Sequence, residues 1–115
     1  MDEKVSFSKM ETLPTMNKAQ LEAKLAQGSY VLMFSAEWCG DCKFIKPHMP
    51  AIMEEFKQFK FYLIERDSNI DLYQELDVLG IPSFLVYKDG KEVGRFVSRD
   101  RKTKEEICTF IKKYL

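Results

Sequence analysis

Residues 30–67 read YVLMFSAEWCGDCKFIKPHMPAIMEEFKQFKFYLIERD, and the order of apolar patterns in this stretch decides the fold. Tyr30–Ala36 is a nearly continuous apolar run, too short for an independent helix, and reads as a parallel strand buried on both faces. From Lys43 to Phe56 the residues Phe44, Ile45, Met49, Ile52, Met53 and Phe56 recur at helical spacing. Pro47 removes a backbone donor inside that pattern, so a kink is expected rather than a break, because the apolar stripe continues in register beyond it. Lys60–Asp67 reads as a second buried strand. Strand, helix and strand within about forty residues make a βαβ unit with parallel strands and a right-handed crossover.

Upstream, residues 17–27 place Leu21 and Leu25 four apart, with Asn17 as cap, Gln20 three residues on and Gly28 just past the end. This predicts a short amphipathic helix. Downstream, Asn69 is positioned to cap a short helix through about Asp77, followed by the turn Leu79-Gly80-Ile81-Pro82. Two strand-like runs, Ser83–Tyr87 and Glu92–Ser98, flank Lys88-Asp89-Gly90-Lys91, where Asp-Gly signals a tight antiparallel hairpin. Thr103 and Glu106 form a capping box for a last helix with an inner stripe of Ile107, Phe110, Ile111 and Tyr114. With a weak strand at the start, this order predicts an α/β fold whose mixed central sheet of four or five strands carries helices on both faces.

Leu, Ile, Val and Phe fill 32 of the 115 positions, enough for a folded core, and no repeat or flexible linker divides the chain. One domain over residues 1–115 is expected. The 18 basic residues balance 18 acidic ones, which argues against a nucleic-acid partner. Three Cys are too few for a disulfide scaffold. No apolar run approaches a membrane span, and the charged opening MDEKVSFSKMETLP contains no secretory signal, so a cytoplasmic protein without a membrane partner is expected.

The chemistry concentrates in Cys39-Gly40-Asp41-Cys42, between a buried strand and the first turn of a helix. A thiol at a helix N-terminus meets unpaired N–H groups and the positive end of the helix dipole, which stabilise a thiolate. Cys39 is therefore the expected nucleophile. Cys42, one turn in, is close enough to close a small disulfide ring yet shielded, and is the expected resolving thiol. Asp41 suits the helix start electrostatically while disfavouring a thiolate on Cys39; a second role, taking the proton of Cys42, requires it to face inward.

Zinc would need four ligands, and only His48 and Cys108 remain besides the pair; His48 points away from Cys42 around the helix. No metal is expected. A structural pair of buried thiols is the other bland reading. Cys108 reads as a packing thiol and His48 as a surface residue. Trp38 is either a core aromatic or a rim residue of a docking groove, and its loop position beside Cys39 favours the rim. Ile81-Pro82, from its residues alone, is an ordinary turn.

Trp38-Cys39-Gly40-Asp41-Cys42-Lys43, Pro47, Asp67, Gly80-Ile81-Pro82-Ser83 and the Lys88–Lys91 hairpin, in this order over residues 17–115, together resemble the thioredoxin family. The resemblance implies a thioredoxin fold, dithiol/disulfide exchange by Cys39 and Cys42, and a cis peptide before Pro82. It also implies a groove formed by Trp38, Ile81 and Pro82 in which a substrate segment lies, with Gly40, Asp41 and Trp38 tuning the pair, and fold roles for Asp67 and the hairpin. Three positions depart from the family pattern: Asp41 stands for a proline, Met33 for a buried acid, and Leu63 for its lysine partner. The expected function is reduction of protein disulfides, with a thioredoxin reductase as electron donor and no cofactor. The alternatives are a binding module with little turnover and a glutathione-using, glutaredoxin-type enzyme, the latter weakened by the lack of a cationic patch beside the motif.

Overall fold

The computed structural model describes residues 10–115; residues 1–9, on which part of the secretory-signal reading rests, lie outside the described residues. The strands are β1 (Glu11–Thr12), β2 (Ser29–Ser35), β3 (Lys60–Glu65), β4 (Ser83–Lys88) and β5 (Lys91–Phe96). The helices are α1 (Lys18–Lys24), α2 (Gly40–Ile45), α3 (Met49–Glu55), α4 (Ile70–Glu75) and α5 (Lys104–Lys112). They build one five-stranded sheet in the order β1-β3-β2-β4-β5. β2 runs parallel to β3 and antiparallel to β4, so the β4–β5 hairpin pairs onto the central strand of the βαβ unit.

The continuous apolar run of β2 follows from burial on both faces. Val31 and Met33 pack with Ile45, Met49, Ile52, Ile107 and Ile111, on the side of α2, α3 and α5. Leu32 and Phe34 pack with Leu21, Leu25, Leu72 and Tyr73, on the side of α1 and α4. Side chains of a strand alternate between faces, so a strand covered on both sides must be apolar at every position.

The expected kink is present. α2 gives way to a 3₁₀ turn at Lys46–His48 containing Pro47, and α3 restarts with Pro50 in its first turn. Ile45, Met49 and Ile52 are all fully buried, so the stripe stays aligned through the kink. Capping boxes start α1 (Asn17 with Gln20) and α5 (Thr103 with Glu106). Asn69 does not act as expected: its side chain makes no capping bond, and its Oδ1 instead accepts the Met16 N–H at 3.0 Å. At the hairpin, Asp89 and Gly90 have φ of 51° and 84°, the positive values a tight turn of this hand requires. The Asp89 carboxylate also accepts the Gly28 N–H at 2.9 Å, tying the hairpin tip to the start of β2.

The Ile81–Pro82 peptide is cis, as the resemblance implies and as the residues alone do not show. Phe34 near the end of β2 is paired with Ser83 at the start of β4. That register brings the loop after β2, which carries Cys39, to the same edge of the sheet as Gly80-Ile81-Pro82.

Candidate functional site

Cys39 is the N-cap of α2, and its Sγ accepts the backbone N–H of Cys42 at 3.2 Å. A cap residue takes up an N–H that the helix leaves unpaired, and here sulfur does so, which favours negative charge on it. The thiol also points to the Ile81 carbonyl at 3.9 Å. All three cysteines are free thiols. A nucleophile that ends the loop before a helix is expected to be accessible, yet Cys39 is only 8% exposed, because Ala36, Cys42 and Ile81 pack around it.

Cys42 is fully buried, as its place one turn into the helix predicts. Burial pushes its thiol up to about 11, and the neighbouring Cys39 adds to the rise, while the Ala36 backbone and the Ser35 side chain act against it. The Ser35 hydroxyl is buried. Beneath it, the Tyr73 hydroxyl accepts the Ser35 N–H at 2.8 Å and lies 2.6 Å from the Ile64 carbonyl, pinning the end of β2 to β3. Neither Ser35 nor Tyr73 was singled out from the sequence; each sits in an ordinary apolar pattern.

Trp38 is 60% exposed, so it is not a core aromatic. Its indole N–H donates to the Asp67 carboxylate at 3.2 Å, and the Arg66 guanidinium lies 5.7 Å from the ring centroid. Asp67 therefore contacts Trp38 through its carboxylate, a partner that its place in the sequence does not suggest. Asp41 faces away from Cys42: Arg101 Nε donates to its Oδ1 at 3.0 Å, and the same guanidinium lies 4.2 Å from the Phe44 ring centroid. A carboxylate held outward in this way lacks the inward orientation needed to take the Cys42 proton.

A groove beside Cys39 is lined by Trp38, Gly40, Asp41, Leu79, Gly80, Ile81 and Arg99. Of the expected groove residues, Trp38 and Ile81 line this groove, and Pro82, next to Ile81, is buried. The Gly80 backbone lies so close to the loop after β5 that a Cβ there would run into the Ser98 carbonyl oxygen. That loop contains Lys102, 1% exposed, which donates to the Ser98 and Asp100 carbonyls at 3.1 and 2.8 Å. In sequence, SRDRK reads as a solvated charged loop, and nothing in it marks one lysine as buried.

Met33 and Leu63 are both buried within the apolar cluster on the side of α2, α3 and α5. His48 is exposed with its ring 6.1 Å from that of Phe44, and the Cys108 thiol donates to Glu55 at 3.6 Å. Neither joins the pair. A helix-capping thiol beside a buried second thiol, at the edge of an open groove, suits attack on a sulfur presented from outside followed by closure of an internal disulfide.

A thioredoxin sequence profile matches residues 12–113. The thioredoxin of Gallus gallus is 38% identical over 93 residues, spanning 78% of this chain and 89% of that protein. Thioredoxin-1 of Saccharomyces cerevisiae is 35% identical over 80 residues, spanning 69% and 78%. Among solved structures, Fasciola hepatica thioredoxin superposes with a TM-score of 0.70 at 33% identity, covering 87% of this chain and 97% of that one. The thioredoxin of Trypanosoma brucei brucei reaches a TM-score of 0.79 at 23% identity over 94% and 92%, a likeness of fold.

Proposed function

The chain belongs to the thioredoxin family, and on that premise we propose that Cys39 and Cys42 form the dithiol with which it reduces disulfide bonds of protein substrates. The observation that carries this reading is the 3.2 Å bond from the Cys42 N–H to Cys39 Sγ, which supports a thiolate at the mouth of the groove. Cys39 as thiolate attacks one sulfur of the substrate disulfide; that bond breaks, and the other substrate sulfur leaves as a thiolate and is protonated. Cys42 then gives up its proton and attacks Cys39 Sγ; the bond from Cys39 to the substrate breaks, the second substrate sulfur leaves as a thiolate that takes up a proton, and a Cys39–Cys42 disulfide remains. Two electrons pass from the dithiol to the substrate. Trp38 and Ile81 flank the reacting sulfur and hold the substrate segment against it. An external reductant restores the dithiol; a thioredoxin reductase in the cytoplasm is the donor this reading assigns.

Insulin reduction driven by dithiothreitol tests the proposal. The wild-type chain should accelerate precipitation of the reduced insulin chains and Cys39→Ser should not; equal rates would refute it. A specific observation favours one rival, a binding module with little turnover: the Cys42 thiol is pushed up to about 11, and the positions of Met33 and Leu63 are apolar. Under that rival, Cys42→Ser captures the same partners as wild type without covalent attachment at Cys39. Under the reductase reading it accumulates mixed disulfides.

A further inference from the structure

The groove beside Cys39 carries two charged side chains, Asp41 and Arg99. The Asp41 carboxylate is engaged by Arg101 at 3.0 Å. Arg99 is exposed and makes no hydrogen bond or ion pair with any described residue. The available charge of the groove is therefore positive, although the chain as a whole is neutral.

Arg99 is also held in place. The two carbonyls that flank it, those of Ser98 and Asp100, both accept hydrogen bonds from the buried Lys102 ammonium, at 3.1 and 2.8 Å. A buried ammonium is costly unless its N–H groups are satisfied, so these bonds fix the loop around its own lysine. The loop in turn abuts Gly80, where only the absence of a side chain allows the Ser98 carbonyl to approach. The backbone bearing Arg99 is thus locked to the segment preceding Ile81, the segment along which a substrate lies. Trp38 and Leu79, which also line the groove, are 60% and 73% exposed, two apolar contacts suited to the side chains of an extended polypeptide and unmatched by glutathione.

We propose that Arg99 is a specificity-determining residue that favours polypeptide substrates carrying an acidic side chain beside the disulfide offered to Cys39. This rests on the reductase reading for its biological use, but the selectivity is a binding property that can be read without turnover. An exposed guanidinium steers and pairs with a nearby carboxylate and repels a cation, an effect that salt weakens.

Trp38 is the only tryptophan and lines the groove, so its fluorescence reports occupancy. The wild-type chain is titrated with three peptides of equal length in which Ser replaces the reactive Cys and Glu, Gln or Lys flanks it. The Glu peptide should bind about three- to tenfold tighter than the Lys peptide at low ionic strength, with the gap shrinking at high salt. Arg99→Gln should abolish the gap and Arg99→Glu reverse it. Equal affinities in the wild type, no binding of any peptide, a preference unchanged in Arg99→Gln, or glutathione binding as tightly as the Glu peptide would each overturn the proposal. Acid-selective binding without insulin reduction would refute the reductase reading and leave Arg99 selectivity standing; insulin reduction without acid selectivity would do the reverse.

Discussion

Met33 on β2 and Leu63 on β3 are direct register partners, so the two positions that carry an acid and a lysine in the family pattern are adjacent here and both apolar. An acid restored alone would be buried without a partner. Met33→Asp should therefore destabilise the protein by about 3 kcal/mol or more near pH 8. Burial raises the folded-state pKa of such a carboxyl, so the loss should grow as pH rises through that value and shrink near pH 5. Adding Leu63→Lys should recover part of the loss at pH 8. Urea unfolding at the two pH values checks this; a penalty that does not change with pH would mean that the new carboxylate reaches solvent.

Gly80 and Gly94 look equally intolerant, since a Cβ would run into the Ser98 carbonyl oxygen in the first case and the Tyr114 ring in the second. They differ in what must yield. Ser98 is backbone held by Lys102, whereas Tyr114 is a partly buried side chain in the last turn of the chain. Gly80→Ala should cost about 2 kcal/mol or more and depress insulin reduction, while Gly94→Ala should cost clearly less and leave reduction intact. Denaturant unfolding and the insulin assay on both variants would expose an error if their order were reversed.

Stability of the reduced protein should fall in alkali through Cys42. Its folded-state pKa of about 11 lies above the unfolded value of 9.0, so its contribution is complete below pH 9 and is lost as pH rises toward 11. The loss is at most about 3 kcal/mol. The disulfide form has no such thiol, so the gap between oxidised and reduced unfolding midpoints should widen over this window. Tyr87, pushed up to about 12 by burial, titrates later and in both forms. With Cys42 and Cys108 both pushed up by burial, alkylation at neutral pH should mark Cys39 first. Peptide mapping that finds Cys42 or Cys108 labelled earlier would reverse the roles.

The Asp41–Arg101 pair is partly exposed on both sides, so its worth to stability should be below about 1 kcal/mol and should fade at high salt. A double-mutant cycle with Asp41→Asn and Arg101→Met measures it. Because the carboxylate is turned to Arg101, Asp41→Asn should leave the rate of mixed-disulfide resolution unchanged. A slowed resolution would restore the proton-accepting role that the geometry removes.

What the residues determine by themselves is local. The continuous apolar runs of β2 and β3, the capping boxes at Asn17 and Thr103, the Asp89-Gly90 turn and the cap position of Cys39 each depend on neighbours a few residues away, and each is legible from spacing and propensity. The family resemblance added the cis bond at Ile81–Pro82, which the two letters alone do not specify. What the tertiary structure decided is which charged and polar groups meet at the site. Lys102 is buried because the loop after β5 folds its own carbonyls onto it. Asp41 faces outward because Arg101, sixty residues away, is there to receive it. Asp67 contacts Trp38, and the Ser35 side chain lies buried beside Cys42. Such contacts join segments distant in sequence, and their partners are chosen by how the sheet brings strand ends together. Hydrophobic periodicity specifies which face of an element is covered; it carries no information on which polar side chain arrives from the other end of the chain.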